Sequence, residues 1–521
     1  MSGHRAAPVS RRYERASWWQ STGKRWLVTA AGVLLFFWVW VLIDPAVSLL
    51  VVVPATIAGR SPRVRAWALR QLSAARARAR RSERESAAAA ERGECVSIGR
   101  SIWYGGPVVL AHRALDEHVF VAGASGAGKT TTALRLLLGR LRAGRGVASI
   151  DLKGDLDTTA GMRALDADGQ VFDLRDSDGP SFDPLRYGDP VGWASMLAHL
   201  TEWSEDHYRL SAQDFLAQLL GALSARAERF DLDQVLGYMA KPGRARELAR
   251  ELRKRGERGE RQARGIEAAL DRIEDDRSIR SGISGMAARL STVVYSPNVG
   301  YRIGPDSGSG EVDIGHALYE GGVAHFSLAE PRYGDEAATL AALVAGAVNA
   351  AASTERGDMD LAIDEAHVLG GRRVVSLIRM ARSAGVGVLV ATQDVFDFAD
   401  HTEAIWGSCA VKVAHRQEGR AAQYVADQAG TYTTCKLTEK WEDGGLLRGP
   451  VSSGEMSVRE VEEYRAHPNL IRELGRGEAV LIERAPESRV DLVAVEAPRP
   501  AHGSGRRPGE AGSGHAAARP P

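Results

Sequence analysis

His118-Val119-Phe120-Val121-Ala122 runs directly into Gly123-Ala124-Ser125-Gly126-Ala127-Gly128-Lys129-Thr130, and a helical apolar spacing continues to about Arg142. A short apolar strand, a loop of the form G-x-x-x-x-G-K-[ST] and a helix, in that order, build a phosphate cradle. The glycines let backbone N–H groups turn inward around phosphate oxygens, while the helix presents its N-terminal partial positive charge. Lys129 would reach the β and γ phosphates, and the Thr130 hydroxyl would ligate Mg²⁺. Nucleotide contacts are therefore expected from Gly123, Ala124, Ser125, Gly126, Ala127, Gly128, Lys129, Thr130 and Thr131, with ATP and Mg²⁺ as cofactors.

Outward from this loop, strand-like runs alternate with helical ones: Gly146–Leu152, Gln170–Leu174, Val323–Leu328, Leu361–Ile363 and Val386–Ala391, with further strand candidates at Ala410–Ala414, Ala479–Ile482 and Val490–Val495. That rhythm is the signature of an α/β fold with a parallel, helix-covered sheet. It breaks between residues 191 and 292, where Phe215, Leu216, Leu219, Leu220 and Leu223 recur at helical spacing with almost no β-rich run. The break reads as an all-helical insertion domain. The nucleotide-binding domain is thus expected in two parts, 96–190 and 293–496.

A phosphate cradle needs an acidic partner on a neighbouring strand, and Leu361-Ala362-Ile363-Asp364-Glu365 ends an apolar run in two carboxylates. Asp364 would orient the metal and its waters, and Glu365 would polarise the attacking water as general base. The string Asp364-Glu365-Ala366-His367 also invites a helicase reading. The long helical insertion and the lack of an arginine-rich closing motif speak against it, and His367 reads as a helix-start or interface residue. Gln393, delivered by Val388-Leu389-Val390-Ala391-Thr392, is placed to sense the γ phosphate or the attacking water. Arg382 ends a helix on the sheet's rim and reads either as a finger reaching a neighbour's nucleotide or as a plain helix C-terminal cation.

The net charge of +1 over 521 residues hides an asymmetry: residues 1–85 hold fifteen Lys/Arg against four Asp/Glu, so the basic charge is local. It flanks an uncharged run at 26–43 (WLVTAAGVLLFFWVWVLI) and a shorter apolar run at 46–58, separated by Asp44-Pro45. About 20 apolar residues span a bilayer, and positive flanks stay cytoplasmic. The pair reads as a transmembrane hairpin at 26–58, or as one span plus an interfacial segment. A basic cytoplasmic N-terminus, 1–25, precedes it and a basic linker helix, 59–95, follows it. Residues 497–521, rich in Pro, Gly, Ser and Arg, read as a disordered tail. Three scattered cysteines, Cys95, Cys409 and Cys435, exclude a disulfide framework and suit a reducing compartment.

The glycine loop, Ile150-Asp151-Leu152-Lys153-Gly154-Asp155, Phe182-Asp183-Pro184-Leu185, the helical insertion, Asp364-Glu365 and Gln393 follow one another in an order that resembles the type IV coupling proteins, in the FtsK and HerA group of pumping ATPases. The resemblance covers roughly residues 20–495. It implies a RecA-like P-loop domain bearing an all-α domain on an N-terminal membrane anchor, located in the bacterial inner membrane with its ATPase domain in the cytoplasm. It further implies a homo-hexamer that couples ATP hydrolysis to transfer of DNA, single-stranded and relaxase-bound, through type IV secretion channel components. The family roles fall on Lys129 and Thr130, on Asp364 and Glu365, on Gln393 as sensor and on Arg382 as finger, while Asp151 and Lys153 match the family's Asp-x-Lys-Gly turn. Two other readings stay open: a translocase of protein substrates, and a nucleotide-gated membrane scaffold without significant turnover. The Arg-dense run from Lys241 to Arg280 does not choose between them, because Glu and Asp are interspersed through it, as on a solvated, salt-bridged face.

Overall fold

The computed structural model describes residues 81, 84–226, 230–305, 310–355, 358–443, 450–484 and 488–498, with the side chains of 436–443 and 450–458 outside that description. The expected N-terminus (1–25), membrane hairpin (26–58), most of the linker helix (59–95) and nearly all of the tail lie outside the described residues. Residues 84–91 are helical.

The main sheet has eleven strands: β1 (Val96–Ser101), β2 (Pro107–Leu110), β3 (Val119–Ala122), β4 (Gly146–Asp151), β5 (Gln170–Asp173), β6 (Val323–Ser327), β7 (Met359–Asp364), β8 (Gly387–Thr392), β9 (Val411–Ala414), β12 (Glu478–Glu483) and β13 (Arg489–Val495). Their order across the sheet is β2-β1-β13-β12-β9-β3-β8-β7-β4-β6-β5. From β9 to β5 all neighbours are parallel. The other four strands pair antiparallel, so the sheet is mixed rather than parallel throughout. The reason is local: β12 and β13 are joined by too few residues for a crossover, which leaves only a hairpin.

Strands β3, β4 and β8 are buried along their whole length, which explains their near-continuous apolar sequences. Successive side chains feed opposite faces: Val119 and Val121 join one core, Phe120 and Ala122 the other. Helices α1 (Lys129–Arg142) and α2 (Leu156–Leu165) cover the first face.

Between β5 and β6 the chain forms six consecutive helices, α3 (Pro190–Ala198), α4 (Asp206–Arg226), α5 (Leu232–Ala240), α6 (Pro242–Arg253), α7 (Gly256–Asp275) and α8 (Arg277–Val294). Their starts are encoded locally. Asp189, Asp231 and Asp276 accept hydrogen bonds from first-turn N–H groups, and Pro190 and Pro242 open their helices. The charged outer face pairs with itself, Arg246 with Glu274 at 2.6 Å and Arg253 with Glu267 at 2.5 Å.

Helix α9 (Ile314–Glu320) leads into β6, and α10 (Asp335–Glu355) follows it. Residues Asp335–Thr354 of α10 are long and apolar enough to cross a membrane, yet the helix is packed between the sheet and α3 and α8, and its apolar composition reflects burial of most of its surface. A Cβ on Gly346 would lie 2.3 Å from Met196 Cγ, so the insertion packs directly on α10 through a glycine. After β7 come α11 (Gly371–Ala384), β8, α12 (Thr402–Ser408), β9 and α13 (Gly419–Ala429). A separate ribbon of β10 (Thr431–Asp443) and β11 (Pro450–Tyr464) then precedes β12, and no sequence signal had marked it.

Candidate functional site

The glycine loop leaves the sheet at the carboxyl end of β3 and is stitched to both neighbours: Gly123 N–H donates to Thr392 O (3.2 Å) on β8, and Ala124 N–H to Arg416 O (3.1 Å) beyond β9. Gly126 and Gly128 adopt φ of +73° and +123°, conformations that cost an L-residue about 1–2 kcal/mol. A Cβ on Gly123 would sit 2.6 Å from His415 Cβ, and one on Gly128 3.1 Å from Gly477. His415 and the turn at Gly477 thus form the back wall, and Gly477 N–H donates to Ala127 O at 2.8 Å.

His415 is fully buried. Its Nδ1 lies 2.9 Å from Glu478 O, which can only accept, so Nδ1 donates and Nε2 accepts from Thr132 Oγ1 at 2.8 Å. Burial pushes this imidazole down to about 4, with the Lys129 charge acting the same way, so it stays neutral.

No side chain caps α1, which leaves its first N–H groups directed into the loop. Lys129 Nζ, almost buried, donates to Gly123 O (2.8 Å) and stands 4.0 Å from Glu365 Oε1. Thr130 lines a small cavity with Lys129, Asp151 and Asp364.

The carboxylates converge because β4 and β7 are parallel neighbours in a register that sets Asp151 beside Asp364. Burial, then the Asp364 charge, pushes the Asp151 carboxyl up to about 6, although it accepts from Gly154 N–H (2.9 Å) and Asp155 N–H (2.7 Å). Asp364 is also raised by burial, with Lys129 opposing. Lys153 pairs with Asp155 Oδ2 at 3.1 Å, half exposed. Among the described residues no group of three or more His, Cys, Asp or Glu side chains is set to hold a metal ion by itself. The set of Thr130 and Asp364, with Asp151 close by, instead suits Mg²⁺, which takes one or two protein oxygens beside phosphates and waters.

Glu365 follows β7 at φ +53°, strain of the kind that collects at functional sites. Its Oε1 accepts from Gln393 Nε2 at 3.1 Å, while its Oε2 is buried without a hydrogen bond. Burial, then Asp364, raises its carboxyl, which suits a general base better than an ordinary glutamate. Gln393 itself is fixed by Gln417 Nε2, which donates to its backbone oxygen at 3.0 Å.

Lys129, Thr130, Asp364, Glu365 and Gln393 therefore meet at one end of the sheet. Arg382 does not join them. It lies exposed in the last turn of α11, near His118 at the amino end of β3, the opposite end from its own glycine loop. His415, Gly477 and Gln417 were not singled out from sequence, since no motif ties them to a loop some 290 to 350 residues earlier. His367, read as a helix-start or interface residue, brings Nδ1 to 3.5 Å from Glu365 Oε2.

Residues 358–474 match the family model described as the TraM recognition site of TraD and TraG. That match takes in less than a quarter of the chain. No curated protein matches it in sequence. The unbound monoclinic form of the bacterial conjugative coupling protein TrwBdeltaN70 is similar in structure, with a TM-score of 0.51 and 15% identity over 78% of this chain and 89% of that one. Its trigonal form with sulphate gives 0.50 and 15% over 78% and 90%. At that identity the likeness speaks for the fold alone, an α/β architecture with a large, mostly parallel sheet. The match begins just before β7 and ends before β12, so it takes in Asp364, Glu365, Gln393, Arg382 and the β10–β11 ribbon.

Proposed function

We propose that this chain is a type IV secretion coupling protein of the TraD/TraG type: a membrane-anchored, hexameric ATPase that couples ATP hydrolysis to the transfer of DNA, single-stranded and relaxase-bound, through a type IV secretion channel. The observation that carries the enzymatic part is the convergence of Lys129 Nζ, Gln393 Nε2 and the raised Glu365 carboxyl around one another at the open end of an uncapped helix. A scaffold that only binds nucleotide needs the loop and Lys129; it does not need a buried, desolvated glutamate held by an amide.

In this reading Lys129 exchanges Gly123 O for phosphate oxygens, and the N–H groups of residues 126–131 surround them. Thr130 and Asp364 would hold Mg²⁺, which when bound would supply charge neutralisation for the phosphates. Glu365 accepts a proton from the attacking water, and Gln393 orients that water relative to Glu365. Arg382, at the far end of its own strands, would act only on a neighbour's nucleotide, which makes the ring part of the site.

DNA as cargo is supported by the likeness to a conjugative coupling protein and by the TraD/TraG family match. Assaying ATP hydrolysis by the full chain with single-stranded DNA, double-stranded DNA and neither separates the readings. Stimulation by single-stranded DNA that falls steeply with salt supports DNA transfer. Turnover indifferent to DNA turns the reading toward protein cargo, and no turnover in any condition rejects the ATPase.

A further inference from the structure

The two carboxylate oxygens of Glu365 are held differently. Oε1 accepts from Gln393, whereas Oε2 is buried without a hydrogen bond and has His367 Nδ1 at 3.5 Å. The same Nδ1 lies 3.4 Å from Thr392 Oγ1 and 4.0 Å from Asp397 Oδ2. Thr392 donates its hydroxyl hydrogen to Asp397 at 2.5 Å, and that carboxylate also accepts from Asp394 N–H at 2.8 Å. With its hydrogen committed to Asp397, Thr392 faces His367 as an acceptor, and ionised Glu365 does the same, so the hydrogen of the ring belongs on Nδ1.

Chain geometry makes this contact specific. His367 sits in the single turn Ala366–Leu369 that follows the strained Glu365, while Thr392 and Asp397 bracket Gln393. The ring therefore touches the base on one side and the support of its amide partner on the other.

We infer that His367 is a positioning residue for Glu365: Nδ1–H restrains Oε2 while Gln393 restrains Oε1, and together they fix the plane of the carboxylate that faces the attacking water. The inference rests on the hydrolase reading above. A long contact of this kind can tighten into a hydrogen bond when a site closes, and a base misplaced by an ångström loses much of its effect. His367 is one-third exposed, so its replacement empties no core.

The test uses the full chain with H367A, H367Q and T392V. Loss of the contact should lower kcat for ATP about tenfold in H367A, with KM and the affinity for a fluorescent ADP analogue changed less than about twofold. H367Q, whose amide can donate to the same oxygen, should recover most of the rate, and T392V should fall between. Without nucleotide, melting temperatures of H367A, E365Q and the double variant should be non-additive, as contacting residues are. Unchanged kcat in H367A, a rate in H367Q as low as in H367A, or additive melting shifts would each overturn the inference. If the wild-type chain hydrolyses no ATP, the hydrolase reading fails, and the nucleotide-free cycle still decides whether His367 holds Glu365.

Discussion

Gln393 Nε2 donates to Glu365 Oε1 across 3.1 Å although the two residues belong to different strand ends, because β8 lies between the glycine-loop strand β3 and the acidic strand β7. That strand order puts the amide midway between the phosphate cradle and the base. E365Q should abolish steady-state ATP hydrolysis, by about 100-fold or more, while keeping nucleotide affinity. Q393A should cost about 10- to 100-fold in kcat. Rate and equilibrium binding measured side by side check both, and wild-type rates in either variant would remove these residues from the mechanism.

Lys129 donates to a loop carbonyl at 2.8 Å, so the cradle keeps its shape by using the charge that phosphate would take over. Mg-ATP at about 100 times Kd should stabilise the chain by about 2.7 kcal/mol. K129A should abolish that thermal shift. A shift that survives in K129A would place the nucleotide elsewhere.

The back wall of the loop tolerates no added methyl. Gly123→Ala would drive a Cβ to 2.6 Å from His415 Cβ, both anchored at strand ends, and should cost about 1–3 kcal/mol of stability together with nucleotide affinity. Gly126→Ala meets no neighbour within 4 Å and pays only for its φ of +73°, so it should be the milder variant. Equal losses in urea melts would mean that His415 yields.

His118, His325 and His415 are buried and each is pushed down to about 4, burial being the leading cause. Their ordinary value is 6.5, so between pH 6.5 and 4 the unfolded chain binds protons that the folded chain does not. Stability should therefore be complete above pH 6.5 and fall as pH drops through that window, by up to about 3 kcal/mol per histidine. Asp151, raised to about 6, acts in the opposite sense over the lower part of the window, as do Asp364, Glu365 and Asp491, each raised chiefly by burial, so the loss from the histidines is partly offset. Chemical denaturation from pH 7.5 to 4.5 measures the slope, and His415→Gln should flatten it.

Arg382 is exposed at the end of the sheet away from its own glycine loop, so its role as a finger depends on a second subunit. R382A should lower hydrolysis about 10- to 1000-fold only at concentrations where the chain assembles, and R382A mixed with E365Q should regain activity, since one supplies the base and the other the arginine. No recovery in mixed assemblies, with assembly itself intact, would leave Arg382 as a helix C-terminal cation.

Sequence by itself determined the chemical inventory. A cradle that needs positive φ must be written with glycines, an uncapped helix start follows from Gly128-Lys129, and an apolar run ending in Asp364-Glu365 declares a strand that delivers acids to its end. All of these are local consequences of backbone sterics and of strand burial. Only the tertiary structure decided which strands are neighbours. It placed β8 between β3 and β7, set Asp151 in register with Asp364, backed the loop with His415 and Gly477, turned His367 toward Glu365, and put Arg382 at the opposite end of the sheet. Strand order and register come from packing two core faces at once, and residues hundreds of positions apart carry no mark of that partnership until the sheet has formed.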